Sequence, residues 1–164
     1  MRKLKFTAGL LLLLIMALLL YFVWPFFSNP TYVILIPKNY HGWVQVYMDI
    51  PYAKDPPKEF WNRYIIKVPP NGMVMTPLPA QVANIETHFV DEHGHRTELL
   101  DAADPRAKDP NALYVQYFMT EGLDNLPSRD VLFIGTFKEY EKVKQENRYP
   151  DYPAEIKKKF HYPY

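Results

Sequence analysis

Side chains that could bind a metal are concentrated in the stretch HFVDEHGH, residues 88–95. Imidazole nitrogens and carboxylate oxygens are ligands that Zn²⁺ accepts. Asp91 and Gly94 are equally typical of a hairpin turn, in which the surrounding histidines are simply solvated. No cofactor is predicted, and a metal-binding sensor or carrier is kept as an alternative function. Its candidate ligands are His88, His93 and His95.

A second candidate site lies on one face of the predicted strand HGWVQVYMDIP, residues 41–51. Successive side chains of a strand point to opposite faces. One face therefore carries Trp43, Gln45, Tyr47 and Asp49. Flat rings beside an amide and a carboxylate suit a sugar ring or a peptide, because they offer contact area with few bonds to immobilise. These four residues are the predicted binding residues.

The alternative for that face is a purely structural one, and we favour it. The helix predicted after Thr136, or the Tyr-rich tail, would cover the face and bury its rings. A later strand repeats the aromatic and polar pattern. Its residues are Tyr114, Gln116 and Phe118.

Composition argues against most enzyme chemistries. The chain has no Cys, which excludes disulfides, a thiol nucleophile, a Cys-ligated metal and lipid attachment to an N-terminal Cys. Its two serines, Ser28 and Ser128, lie outside any G-x-S-x-G motif, and phosphate-binding glycine motifs are absent. The prediction is a protein that is not an enzyme. An enzyme of unrecognised class, using carboxylates such as Asp49, Glu86 and Glu98, is a further alternative.

The overall balance of residues predicts an all-β domain without a polyanionic partner. The 164 residues include 19 Lys and Arg against 18 Asp and Glu, a net charge of +1, so we predict no nucleic-acid partner. Aromatic residues make up 16%, and 16 Pro stand against 6 Gly. That composition favours short strands and turns over a helical bundle.

Short strands separated by turns predict a small antiparallel β-sandwich, transthyretin-like or immunoglobulin-like. Residues 32–36 are apolar on both faces and so predict a central strand covered on two sides. The turn-forming stretch 37–42 predicts an antiparallel hairpin with the next strand, and residues 85–100 predict a second hairpin. Thr136 and Glu139 have capping-box spacing, which predicts one short C-terminal helix.

The N-terminus predicts a membrane anchor. Residues 6–27 carry no charge and would form a helix of roughly 33 Å, against about 30 Å of bilayer hydrocarbon. A cleaved signal peptide is the alternative, but the bulky exit YFVWPFFSNP fits a cleavage site poorly. The positive stub MRKLK places the N-terminus in the cytoplasm. The predicted protein is therefore single-pass in the inner or plasma membrane, with an extracytoplasmic domain.

The predicted organisation has four parts. They are a basic cytoplasmic stub at 1–5, a single transmembrane helix at 6–27, the β-sandwich domain at 31–147 and a Tyr-, Pro- and Lys-rich tail at 148–164. The tail has no clear period and is expected to be extended or partly disordered.

Four motifs resemble those of a family of uncharacterised bacterial envelope proteins, many of them lipoproteins, with a domain of unknown function. They are I-P-x-x-Y-x-G-W-V from Ile36, P-x-x-G from Pro69, D-E-x-G-x-R-x-x-L from Asp91 and F-x-G-T from Phe133. The related motif has a turn residue at the position of His93 and a basic one at that of His95, so the resemblance favours the turn. This chain departs from the family in its Cys-free apolar N-terminus and its tail. The resemblance implies a compact extracytoplasmic domain and implies no activity.

The predicted function is a membrane-anchored, non-enzymatic binding or scaffolding module of the bacterial cell envelope. Its expected partners are membrane lipid, through the N-terminal helix, and an envelope protein or a glycan, through an aromatic strand face.

Overall fold

The computed structural model describes residues 14–21, 29–60, 62–122 and 125–160. The strands are β1 Thr31–Pro37, β2 Gly42–Tyr47, β3 Arg63–Lys67, β4 Met73–Met75, β5 Asn84–Val90, β6 Arg96–Glu98, β7 Tyr114–Glu121 and β8 Arg129–Gly135. The helices are α1 at residues 14–21, α2 Phe137–Gln145 and α3 Ala154–Lys159.

Two four-stranded sheets form the fold. Sheet 1 has the order β3-β1-β5-β6, and sheet 2 has the order β4-β2-β8-β7. The chain alternates between the sheets from β1 to β5 and reverses direction at each crossing. Strands two apart therefore become parallel neighbours: β1 pairs with β3 and with β5, and β2 pairs with β4. The remaining pairs are antiparallel.

This topology corrects the predicted fold class. Each sheet is mixed, so the antiparallel β-sandwich of transthyretin or immunoglobulin type is wrong. The hairpin predicted across residues 37–42 is also wrong, because β3 and β5 occupy both edges of β1 and β2 lies in the other sheet. The second hairpin is confirmed: β5 and β6 are antiparallel on either side of the turn at residues 91–95.

The central strand β1 is buried on both faces, as its sequence predicts. Each of its residues from 32 to 36 is at most 2% exposed. The inner face packs into the core between the sheets, and the outer face packs Val33 and Leu35 against Ile65. Long charged side chains cover that outer face, where Arg63 donates to Glu86 at 2.6 and 2.8 Å. Their stems can lie over apolar surface while their charged ends pair.

The C-terminal segment covers the outer face of sheet 2. α2 begins at the predicted capping box, in which the Thr136 backbone N–H donates to Glu139 at 2.7 Å. The prediction of one helix misses α3. Tyr152 and Ile156, 4% and 1% exposed, pack with Tyr47 in a second apolar cluster. The part of the tail that the structure describes is therefore packed against the domain.

The predicted transmembrane helix needs correction. Within residues 6–27 the structure describes residues 14–21, which are helical. None of the helices in the described ranges is long and apolar enough to cross a membrane. On this finding the predicted single-pass location with a cytoplasmic N-terminus is wrong. The rest of that predicted span lies outside the described residues.

One buried arginine joins sheet 2 to the C-terminal segment. Arg129, at the start of β8, is 3% exposed. Its guanidinium donates to Glu121 at 2.8 Å, to the side-chain oxygen of Gln45 at 2.6 Å and to the Pro150 carbonyl at 2.8 Å. It also lies 4.1 Å from the centroid of the Tyr152 ring. The side chain thus bridges three strands and the residues that lead into α3.

Replacing Arg129 with Ala is expected to lower the free energy of unfolding by about 3 kcal/mol, because several buried acceptors lose their donor. Urea unfolding followed by circular dichroism measures the change. Arg106→Ala is the control. Arg106 also pairs with two carboxylates, but it is exposed, so water can solvate those carboxylates when the guanidinium is removed. Equal effects of the two substitutions would contradict the role assigned to Arg129.

Candidate functional site

The two sheets leave one edge of the fold open. β6 has three residues and pairs with residues 88–90 of β5. Residues 84–87 of β5 therefore have no partner in β6. β7 forms the facing edge of sheet 2. Among the described residues of that edge, only Val115 forms a β-bridge outside the sheet. Its partner is Asp101, in the loop that connects β6 to β7. A cleft between β5 and β7 results.

The part of this cleft next to β6 is a cavity of about 520 Å³. Its floor is apolar and belongs to both sheets: Ile85, Leu99, Val115 and Leu132. Phe118, which is 42% exposed, stands at the mouth. The rim includes Asp101 and Asp104, and the edge of sheet 1 at Glu86, His88 and Glu98, whose side chains lie towards the outer face of that sheet. The cleft therefore combines an apolar interior with a negatively charged entrance.

The part next to the loop at residues 80–83 is a smaller cavity of about 170 Å³, and Ile85 and Phe118 line both cavities. Its walls include Met48, the loop residues 80–83 and Asp130. Tyr32 also lines it, and its hydroxyl donates to the Pro79 carbonyl at 2.9 Å. The two cavities are therefore neighbours along the open edge, with Ile85 and Phe118 lining both.

Asp130 places a carboxyl group at the closed end of the cleft. The residue is 2% exposed, and the Thr120 hydroxyl donates to it at 2.6 Å. Among the described residues no Lys, Arg or His lies within salt-bridge distance of Asp130. Burial without a cation raises the pKa of its carboxyl, since the charged form is poorly solvated.

The rim carboxylates are in a different environment. Arg106 pairs with both Glu98 and Asp104, and its hydrogen bonds lower the pKa of each carboxyl. Arg63 similarly lowers the pKa of Glu86. These groups remain ionised at neutral pH. The carboxyls of these three residues thus have a lowered pKa, whereas burial raises the pKa of the Asp130 carboxyl.

The predicted aromatic face is covered by the C-terminal segment. Trp43 is half-buried, and its indole N–H donates to the Arg148 carbonyl at 2.9 Å. Its ring lies 5.5 Å from that of Tyr149 and 5.1 Å from that of Phe133, centroid to centroid. Tyr47 is fully buried. Of the two coverings that the structural alternative offered, the tail supplies these contacts, through Arg148 and Tyr149.

Of the four predicted binding residues, the structure brings three together. Gln45 and Tyr47 are joined by a 2.7 Å hydrogen bond, in which the Tyr47 hydroxyl donates, and Trp43 lies on the same face. Asp49 lies beyond the end of β2 with a positive φ of 55°, and its carboxylate accepts from the Ala80 N–H at 3.1 Å. A ligand role for these residues stays a prediction.

The histidine cluster forms a turn. Asp91 accepts hydrogen bonds from the backbone N–H groups of His93 and His95, at 2.9 and 2.8 Å, and these lower the pKa of its carboxyl. The side chains of His93 and His95 are 72% and 79% exposed, whereas His88 lies on β5 beside Glu86. Within the described ranges no three His, Asp or Glu residues are placed to hold a metal ion.

Sequence reasoning missed the cleft for a local reason. It placed Phe118 on the face of Tyr114 and Gln116, but a β-bulge between Val115 and Tyr117 reverses the alternation. Phe118 therefore faces the cleft with Val115. Asp130 lies in β8, and its burial depends on the packing of the two sheets, which no local pattern shows.

Comparisons with known proteins show the family of this chain. A model of a family of unknown function, DUF6843, matches residues 28–147, and the chain belongs to that family. No curated protein matches the chain. A similar solved structure is the crystal structure of "Putative Lipoprotein from Bacillus anthracis", which is 18% identical. The match covers 80% of this chain and 91% of that chain, with a TM-score of 0.46.

We expect Tyr149→Ala to uncover the Trp43 ring, because Tyr149 packs directly against it. With Trp24 and Trp61 replaced by Phe, the fluorescence of Trp43 should shift to the red and iodide should quench it more strongly. Tyr52→Ala, which removes a half-exposed ring from another loop, is the control. An unchanged spectrum in the Tyr149 variant would show that the C-terminal segment does not cover Trp43.

Asp130→Asn should raise stability at neutral pH. The pKa of Asp130 is raised in the folded state, so its favourable contribution is complete below its unfolded-state pKa and is lost as the pH rises through the folded-state value. The variant lacks this titration and keeps an oxygen for Thr120. Its urea midpoint should therefore exceed that of the wild type at pH 7 by more than at pH 3. Glu92→Gln is the exposed control, and an Asn variant that is less stable at pH 7 would refute the assignment.

Proposed function

We propose that this protein is a non-enzymatic binding module that takes an extended peptide segment of a partner protein along the open edge of β7. The observation that carries the proposal is the edge itself. Residues 117–121 of β7 lie beyond the bridge to Asp101 and form the margin of sheet 2. An unpaired strand edge is a template for a further strand.

The side chains on this edge support the same proposal. Phe118 and Met119 are 42% and 41% exposed, and they point to opposite faces of the sheet because they are consecutive. A strand added beside β7 would contact both faces. Exposed large apolar side chains next to a cavity are typical of a binding surface.

The cleft supplies a place for the side chains of such a peptide. Every second side chain of an added strand would point between the sheets, towards the apolar floor at Ile85 and Leu132. In this mode backbone hydrogen bonds provide affinity and pockets for alternate side chains provide selectivity.

The state of the rim carboxylates favours binding over catalysis. A general acid or base works best with a pKa near the working pH, and Arg106 and Arg63 lower the pKa of the carboxyls they contact. The rim therefore presents stable negative charge. A location in the cell envelope stays a prediction.

The test begins with a random twelve-residue peptide library selected on the immobilised full chain. A selected peptide should lose at least tenfold in affinity when alternate backbone nitrogens are methylated, because strand addition needs those N–H groups. Methylation of the intervening nitrogens, which face away from β7, is the matched control. Fluorescence polarisation measures both series.

Protein variants complete the design. Phe118→Ala should also weaken binding at least tenfold, whereas Tyr52→Ala, at a half-exposed ring outside the cleft, should not. Equal tolerance of both methylation patterns, or of Phe118→Ala, would overturn strand addition at β7.

A further inference from the structure

We infer that the peptide taken along β7 carries a cationic side chain of lysine type, and that its alkylammonium group enters the cleft and pairs with Asp130. The inference rests on the proposed function. It adds the chemical class of the ligand.

The charge of the lining is the first argument. Five acidic residues line the two cavities: Glu86, Glu98, Asp101, Asp104 and Asp130. Two of them, Glu86 and Glu98, lie at the edge of sheet 1 with their carboxylates on its outer face. No Lys or Arg among the described residues lines either cavity. Arg63 and Arg106, which lie outside the lining, pair with three of the five. The cleft therefore attracts a cation and repels an anion.

The position of Asp130 is the second argument. Its carboxyl lies on the inner face of β8, opposite Thr120 of β7, and a strand added beside β7 would be two strand spacings from β8. Two spacings are about 9.5 Å. The combined length of a lysine side chain, with its four-carbon stem, and the Asp130 side chain is sufficient to span that distance. The apolar residues Ile85 and Phe118 line the path of the stem.

The third argument is that this carboxyl is 2% exposed and has no cation beside it among the described residues. Its hydrogen-bond donor is the Thr120 hydroxyl. A buried carboxylate is stabilised when an ammonium group supplies the missing charge, and such charge-assisted bonds are stronger than neutral ones. The other titratable groups near it are the Tyr32 hydroxyl and, beside that tyrosine, Asp49. Neither supplies positive charge.

The test uses three small probes with equal apolar tails: hexylammonium, hexanol and hexanoate. They lack peptide groups, so they report on the cleft and not on strand addition. We expect hexylammonium to shift the amide signals of Phe118, Thr120 and Asp130 in ¹⁵N-labelled full-length protein. Its affinity should exceed that of hexanol about tenfold, and hexanoate should bind least.

Two variants make the result specific. Asp130→Asn should weaken hexylammonium binding about tenfold and leave hexanol unchanged, whereas Glu92→Gln, at an exposed acid outside the cleft, should change neither. Hexylammonium affinity should also rise with pH as Asp130 ionises. Equal binding of hexanol, or full hexylammonium affinity in Asp130→Asn, would overturn the inference. Neither result affects the methylated-peptide test, so failure of the cation site and failure of strand addition are distinguishable.

Discussion

The burial of β1 on both faces shapes the rest of the fold. A strand in that position needs a hydrogen-bonded neighbour at each edge and cover above and below. β3 and β5 are the neighbours, and the chain reaches each of them after a strand in the other sheet. β2 and β4 of the second sheet are the strands that lie between β1, β3 and β5 in the chain, and β7 and β8, which follow β6, complete that sheet. The parallel pairs in both sheets follow from the reversal of direction at each crossing.

The open edge follows from the lengths of the last strands. β6 is too short to cover β5, and within the described ranges β7 has no strand partner other than β8. An apolar cleft lies between the sheets at that edge. The bulge in β7 then rotates Phe118 into the mouth of that cleft. Natural sheets usually protect long edges, and an edge left accessible beside a cavity suits recognition of another chain.

Two consecutive residues of β8 show how differently the fold treats buried charge. Arg129 points to the outer face, where carboxylate, amide and carbonyl oxygens surround it. Asp130 points to the inner face and has the hydroxyl of Thr120 as its donor. The first arrangement is that of a structural ion pair. The second is a buried carboxyl with a hydroxyl partner, and burial raises the pKa of that carboxyl.

The sequence by itself determined the local features: the strand character of residues 32–36, the hairpin around Asp91, the capping box at Thr136 and membership of a family of unknown function. These depend on side-chain alternation, turn chemistry and motifs within a few residues. Tertiary structure alone decided the parallel pairing, the covering of Trp43 by the C-terminal segment and the meeting of Phe118 with Asp130. Strand partners and cavities depend on contacts between residues far apart in the chain, and a bulge of one residue reverses which side chains meet.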